Sequence, residues 1–327
     1  MKVRRCRTAF IACSSILAIA GMVCAQDVPG SEPQSIDGTH AKGQSERPGA
    51  REVIPHRTNP KSGALTAGST GVMTPDITFH GGPLMATPSV YLVWYGNWNQ
   101  SDGSDTPGGQ QIVRDFLFGL SGSNYYNTNT SYGTPTGTFA VKKEYTDSYS
   151  QGKRLSDSKV QAVVTHAISS GPPKDTNGIY FVLTSSDVSE SSGFCSQYCG
   201  WHTDGTISGS DIKYAFVGNA HRCPSACAAQ SVGPNGNAGV DGMVSVIAHE
   251  LEETNTDPDL NAWYDSNGSE DADKCAWTFG SNQKQASNGA YYNMTLIGTG
   301  GNYRNFLIQR ELDVYSKCYI DYVNKIQ

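Results

Sequence analysis

The stretch Gly239-Val240-Asp241-Gly242-Met243-Val244-Ser245-Val246-Ile247-Ala248-His249-Glu250-Leu251-Glu252-Glu253-Thr254-Asn255-Thr256-Asp257-Pro258 decides how this chain is read. At about 100° per residue, Val240, Val244, Ile247 and Leu251 fall on one helical face, and His249, Glu250 and Glu253 fall on the other. Residues four apart on a helix are neighbours, so His249 and Glu253 can point at a common atom. Pro258 has no amide hydrogen and disfavours helix at Asp257, which predicts an end near Thr256. The pattern His-Glu-x-x-Glu differs by one residue from His-Glu-x-x-His, where two histidines bind zinc and the glutamate between them is the general base. A carboxylate in the second position keeps a zinc-competent ligand, at roughly 2.0–2.2 Å. The spacing therefore predicts Zn2+ held by His249 and Glu253, with Glu250 as the catalytic base. A surface helix rich in Glu would show the same letters, with its polar face in water.

Working outward, the 327 residues suffice for one sizeable domain or two small ones. Net charge is −6. The first 25 residues hold Lys2, Arg4, Arg5 and Arg7 and no acid, so the remainder carries −10. That excess of acid argues against a nucleic-acid or anionic-membrane partner. The basic start, the short apolar run Ala9 to Val23 and the small residues at Val23-Cys24-Ala25 read as a signal peptide over residues 1–25. The apolar run is too short for a membrane span, so no membrane association is expected after cleavage. The expected location is secreted, outside the cell or in the periplasm or wall.

Cleavage after Ala25 leaves six cysteines: Cys195, Cys199, Cys223, Cys227, Cys275 and Cys318. An even number in an exported chain predicts disulfides, with 15 connectivities open. Two Cys-x-x-x-Cys pairs suggest a paired cluster plus a Cys275–Cys318 staple. The rival is a structural zinc site on Cys195, Cys199, Cys223 and Cys227, with His202 or His221 alongside.

Residues 26–70 are rich in Pro, Gly, Ser and charge and predict a disordered spacer or propeptide. The globular part is expected over residues 71–327. Ser89 to Tyr95 and Gly178 to Thr184 are nearly continuous apolar runs, read as buried strands. Gly109 to Leu120 and Ser156 to Ser169 carry apolar residues at helical spacing. Val141 to Tyr149 and Lys213 to Gly218 read as strands, the segment after Thr184 as a cysteine-bearing loop, and Tyr303 to Tyr319 as strand or helix. The expected class is α+β (α/β-like): a single zincin-like domain, with a mixed sheet packed on helices and a disulfide-stapled C-terminal subdomain.

Four stretches together resemble the EXORDIUM or phosphate-induced protein family of secreted proteins. They are Val90 to Asn97, Gly193 to Gly200, Phe216 to Asn219 with Cys223 to Cys227, and Val240 to Met243. The helix motif, with Thr256-Asp257-Pro258, Trp263-Tyr264-Asp265 and Glu270, Asp273 and Cys275, is similar to a microbial branch of that family. The resemblance to plant members implies a cell-wall or apoplastic protein linked to growth, without an assigned reaction. By analogy with zincins, the third ligand is expected to be Glu270, with Asp257 and Asp259 as alternatives. A calcium site on Asp265, Glu270, Asp271 and Asp273 is a further option. His80 is read as a turn residue rather than a group that reaches the site.

Two functions compete at this level. One is a secreted zinc-dependent hydrolase, a peptidase working on peptide through the His249–Glu253 helix. The alternative is a non-catalytic, cell-wall-associated or growth-signalling protein that meets wall polysaccharide.

Overall fold

The computed structural model describes residues 52–55, 76–102, 107–134 and 136–321. The signal peptide lies outside them, as does most of the 26–70 stretch. The larger elements are β1 (Glu52–Pro55), β2 (Ser89–Tyr95), α1 (Pro107–Leu120), β3 (Ala140–Asp147), α2 (Asp157–Ser170), β4 (Gly178–Thr184), β5 (Tyr198–Ile207), β6 (Ser210–Val217), α3 (Ala238–Thr256), β7 (Met294–Ile297) and β8 (Tyr303–Phe306).

One six-stranded mixed sheet carries the fold, in the order β1-β5-β6-β4-β2-β3. β3, β2, β4 and β6 run parallel, whereas β5 is antiparallel to β6 and β1 is antiparallel to β5. Central parallel strands are covered on both faces, which is why β2 and β4 read as continuous apolar runs. Val90 to Tyr95 and Ile179 to Leu183 are all buried. Trp94 belongs to this core, its indole N–H held by Glu144 at 2.7 Å. α1 buries Ile112, Val113, Phe116, Leu117 and Leu120 and packs against α3. α2 buries Val160, Val163, Val164 and Ala167 against β4 and its neighbours.

Two segments differ from the sequence reading. The loop expected after Thr184 contains β5, a ten-residue strand. Its Gly200, Asp204 and Gly205 give weak strand signals; pairing with β6 over residues 200–207 and with β1 at one end makes the strand. Within the stretch expected to be disordered, residues 52–55 form β1, its backbone paired to residues 198–202. The unpaired N–H and C=O groups of an edge strand are a template for such an addition.

The C-terminal region is a set of short hairpins rather than one element over 303–319. β7 pairs with β8, and Glu311–Leu312 pairs with Cys318–Tyr319. Arg304 of β8 reaches Asp115 of α1 at 2.6 Å, and Phe306 meets Phe116 edge-on at 5.1 Å between ring centres. The disulfides are Cys195–Cys223, Cys199–Cys227 and Cys275–Cys318. The four cysteines of the rival zinc site are therefore oxidised in pairs and offer no thiolate. The architecture is a mixed α+β domain with disulfides in its C-terminal part. Among the described residues, no helix is long and apolar enough to cross a membrane.

Candidate metal centre

α3 starts where the Asn237 side chain accepts the Val240 N–H at 3.1 Å, an N-cap that satisfies one of the helix's first free donors. It ends at Thr256, before Asp257-Pro258. Every residue of the helix is buried or nearly so, including His249, Glu250, Glu252 and Glu253. The polar face does not meet water, which rules out the reading of a solvated Glu-rich face. It meets β5 on one side and the segment 270–273 on another.

β5 places His202 against this face. Its Nδ1 lies 3.3 Å from Glu250 Oε2 and 3.6 Å from Glu253 Oε2, and its Nε2 lies 3.6 Å from Glu270 Oε2. One turn along α3, His249 Nε2 lies 2.9 Å from Glu253 Oε1 and 3.7 Å from Asp273 Oδ1. The Asp273 N–H donates to Glu253 Oε1 at 3.0 Å, and Thr256 donates to Asp271 Oδ2 at 2.8 Å. These bonds fasten the 270–273 segment over the helix, and the Cys275–Cys318 disulfide closes its far end.

The expected site residues are thus placed as follows. His249 and Glu253 converge. Glu250 sits beside them, against His202. Glu270 joins Glu253 but groups with His202 rather than with His249. The carboxylate that groups with His249 and Glu253 is Asp273. Asp257 accepts the N–H groups of Asn261 and Ala262 through one oxygen, each at 2.6 Å, and its carboxyl also hydrogen-bonds Glu270, at the edge of the cluster. Asp259 pairs with Lys213 at 2.7 Å. The four residues of the calcium alternative do not form one group among the described residues: Asp265 pairs with Lys274 and Asp271 with Thr256. His80 is exposed and stacks on Tyr264 at 3.6 Å.

Burial sets the charge states. It pushes His202 down to about 3 and His249 down to about 4, leaving both imidazoles neutral with a lone pair to give. Burial, then the neighbouring carboxylates, pushes Glu250 and Glu253 well above the ordinary range. Asp271 rises to about 7 for the same first reason. Several carboxylates packed in a dry space must either take protons or share a cation.

The donor set fits a divalent transition metal. Ligand atoms at roughly 2.0–2.2 Å around a tetrahedral ion sit about 3.3–3.6 Å from one another. The closest histidine–carboxylate contacts, 2.9 to 3.7 Å, are of that order, and within each donor group the ligand atoms lie within 4.8 Å of one another. His202 Nε2, both His249 ring nitrogens, Glu250 Oε1 and Glu253 Oε2 are buried without a hydrogen-bond partner. Orphaned atoms of this kind call for an explanation, and a shared ion supplies one. His202 and Asp273 lie outside the residues the sequence singled out for the helix site. His202 is a single histidine on an unrecognised strand; Asp273 reads as one acid in an acidic loop.

The residues around this centre coincide with the region shared with known proteins. The model of the Phosphate-induced protein 1 conserved region matches residues 77–319. Protein EXORDIUM-like 5 of Arabidopsis thaliana is 32% identical over 302 residues, which covers 76% of this chain and 79% of that protein. Protein EXORDIUM-like 3 of the same plant is 34% identical over 222 residues, 58% of this chain and 64% of that protein, a little under two thirds of its length. Protein PHOSPHATE-INDUCED 1 of Nicotiana tabacum is 32% identical over 223 residues, 58% of this chain and 67% of that protein. No solved structure matches the chain. The family match takes in β2 to β8, all three disulfides and every donor of the buried cluster, and the chain belongs to the EXORDIUM/phosphate-induced protein family.

Proposed function

We propose that the chain is a secreted, wall-associated protein of the EXORDIUM type, in which α3, β5 and the 270–273 segment enclose a divalent cation. In this reading the centre organises a binding protein and does not hydrolyse a substrate. The observation that carries it is burial: His202, Glu250, Glu253 and Glu270 are 0% exposed and His249 is 1% exposed, with only the Asp273 side chain, at 12%, reaching the surface. A hydrolase must bring its metal-bound water to a substrate carbonyl, and a shell this closed suits a structural ion better. Cell-wall polysaccharide is the proposed partner. Exposed aromatics, among them Phe79, Tyr303 and Tyr315, offer ring faces for sugars.

The test has two arms. Protein purified without chelator is analysed for bound metal, and wild type and Glu250→Gln are compared for retention on insoluble wall glycans. Retention by both proteins, with metal lost in His249→Ala, supports the reading. Absence of glycan retention removes the proposed partner, and absence of metal removes the centre.

A second reading, a zinc-dependent peptidase, is favoured by one observation. β5 is the antiparallel strand beside α3, and β1 already lies along it as an extended, antiparallel segment beside the strand that carries His202. An extended peptide binding a sheet edge would lie in that way, and a sheet edge above a metal helix is the zincin arrangement, an analogy at fold level. Bound zinc would there polarise the scissile carbonyl and acidify water. Glu250 would accept the proton. Cleavage of denatured casein by wild type and its loss in Glu250→Gln would favour this reading over the first.

A further inference from the structure

We infer that the centre holds two divalent cations bridged by Glu253, an inference that rests on the cation reading above and deepens it. The two oxygens of Glu253 face different histidines. Oε1 lies 2.9 Å from His249 Nε2, and Oε2 lies 3.6 Å from His202 Nδ1. The donors fall into two groups that share Glu253 alone. His249, Glu253 and Asp273 form one; His202, Glu253 and Glu270 form the other, and no group contains both histidines. Within each, the ligand atoms lie within 4.8 Å of one another. One ion cannot draw on both sets without a rearrangement of the rings. Two ions can, because a carboxylate that gives one oxygen to each bridges metals about 3.5–4 Å apart, the usual spacing of two-metal sites.

Independent of the acidic cluster, both histidines are buried and present ring nitrogens with no hydrogen-bond partner, His202 through Nε2 and His249 through both. Charge points the same way. Glu250, Glu253, Glu270 and Asp273 would bring four negative charges when ionised. Asp257 and Asp271, buried beside Glu253, add to that charge, which exceeds what one divalent ion offsets. The ionic partners of Glu250, Glu253 and Asp273 among the described residues are histidines, not Lys or Arg. Glu250 hydrogen-bonds His202 Nδ1 at 3.3 Å, which fixes the ring and leaves Nε2, on the Glu270 side, for the ion.

The experiment is metal stoichiometry on the whole mature protein. It is loaded with excess Zn2+, and separately with Mn2+, freed of loose ion and analysed by mass spectrometry for metal per chain. Two equivalents in wild type, one in Asp273→Asn, one in Glu270→Gln and none in Glu253→Gln support the bridged pair. Exchange coupling in the electron paramagnetic resonance spectrum of the Mn2+ form would confirm that the ions share a ligand. One equivalent in wild type overturns the bridged pair while leaving the single-cation reading standing. No bound metal in wild type overturns both.

Discussion

His202 Nδ1 lies 3.3 Å from Glu250 Oε2, so the strand β5 and the helix α3 meet through two fully buried polar side chains. This contact joins the sheet to the candidate centre. His202→Ala is expected to leave buried acceptors on α3 unsatisfied, which costs on the order of 1–3 kcal/mol. It is also expected to lower cation affinity at least tenfold. Urea unfolding and metal titration read the two effects. Unchanged metal affinity would show that the helix holds its ion without the strand.

The Cys199–Cys227 disulfide ties β5 to the short helix that leads into α3, across a sequence separation of 28 residues. Because Cys195–Cys223 already closes a parallel loop of the same span, the added ring is only about ten residues long and stabilises by about 2–3 kcal/mol in the chain-entropy account. The double variant Cys199→Ser/Cys227→Ser is expected to lose that amount in denaturant unfolding under oxidising conditions. Its cation affinity should fall less than that of His202→Ala, because no donor is removed.

How far the chain's letters announce this arrangement depends on the residue. β2 and β4 are legible because parallel central strands need apolar side chains on both faces, and Val90 to Tyr95 and Ile179 to Leu183 supply them. α3 is legible because Val240, Val244, Ile247 and Leu251 keep helical spacing. β5 is not, because Gly200, Asp204 and Gly205 carry no strand preference of their own and the strand exists through its partners. His202 is hidden with it. A donor set spread over a strand, a helix and a loop has no sequence spacing to read, so the His249–Glu253 half shows and the His202–Glu270 pairing does not.

Asp241, in the first turn of α3, is buried, and burial pushes its pKa from the usual 3.8 up to about 6 against the bonds from Asn235. The folded protein therefore holds this proton more tightly than the unfolded chain. Its contribution to stability is complete below about pH 4 and is lost as pH rises through 6, about 3 kcal/mol in all. Asp241→Asn has no such proton to lose. Between pH 3 and pH 7 its stability relative to wild type should shift by about 3 kcal/mol in its favour. Urea unfolding at the two pH values checks it, and parallel curves would place the titration elsewhere.

Gly200 lets β5 approach α3 closely. A Cβ there would stand 2.5 Å from Val246 Cγ1, 2.9 Å from Glu250 Oε1 and 3.0 Å from the Phe216 carbonyl oxygen. These neighbours are a core side chain, a member of the candidate centre and backbone, and none can step aside freely. Side chains two apart on a strand share a face, so Gly200 and His202 point to the same side. Gly200→Ala should therefore push the strand from the helix, cost about 1–3 kcal/mol as overpacked cores do, and weaken cation binding through a displaced His202. Gly205→Ala is the control on the same strand. Its Cβ would meet the end of the Gln161 side chain at 2.7 Å, which can swing away, and the buried Tyr214 ring at 3.2 Å, which needs only a small shift. It should cost less and leave cation binding intact. If the two variants bind metal equally well, close contact between β5 and α3 does not set the geometry of the centre.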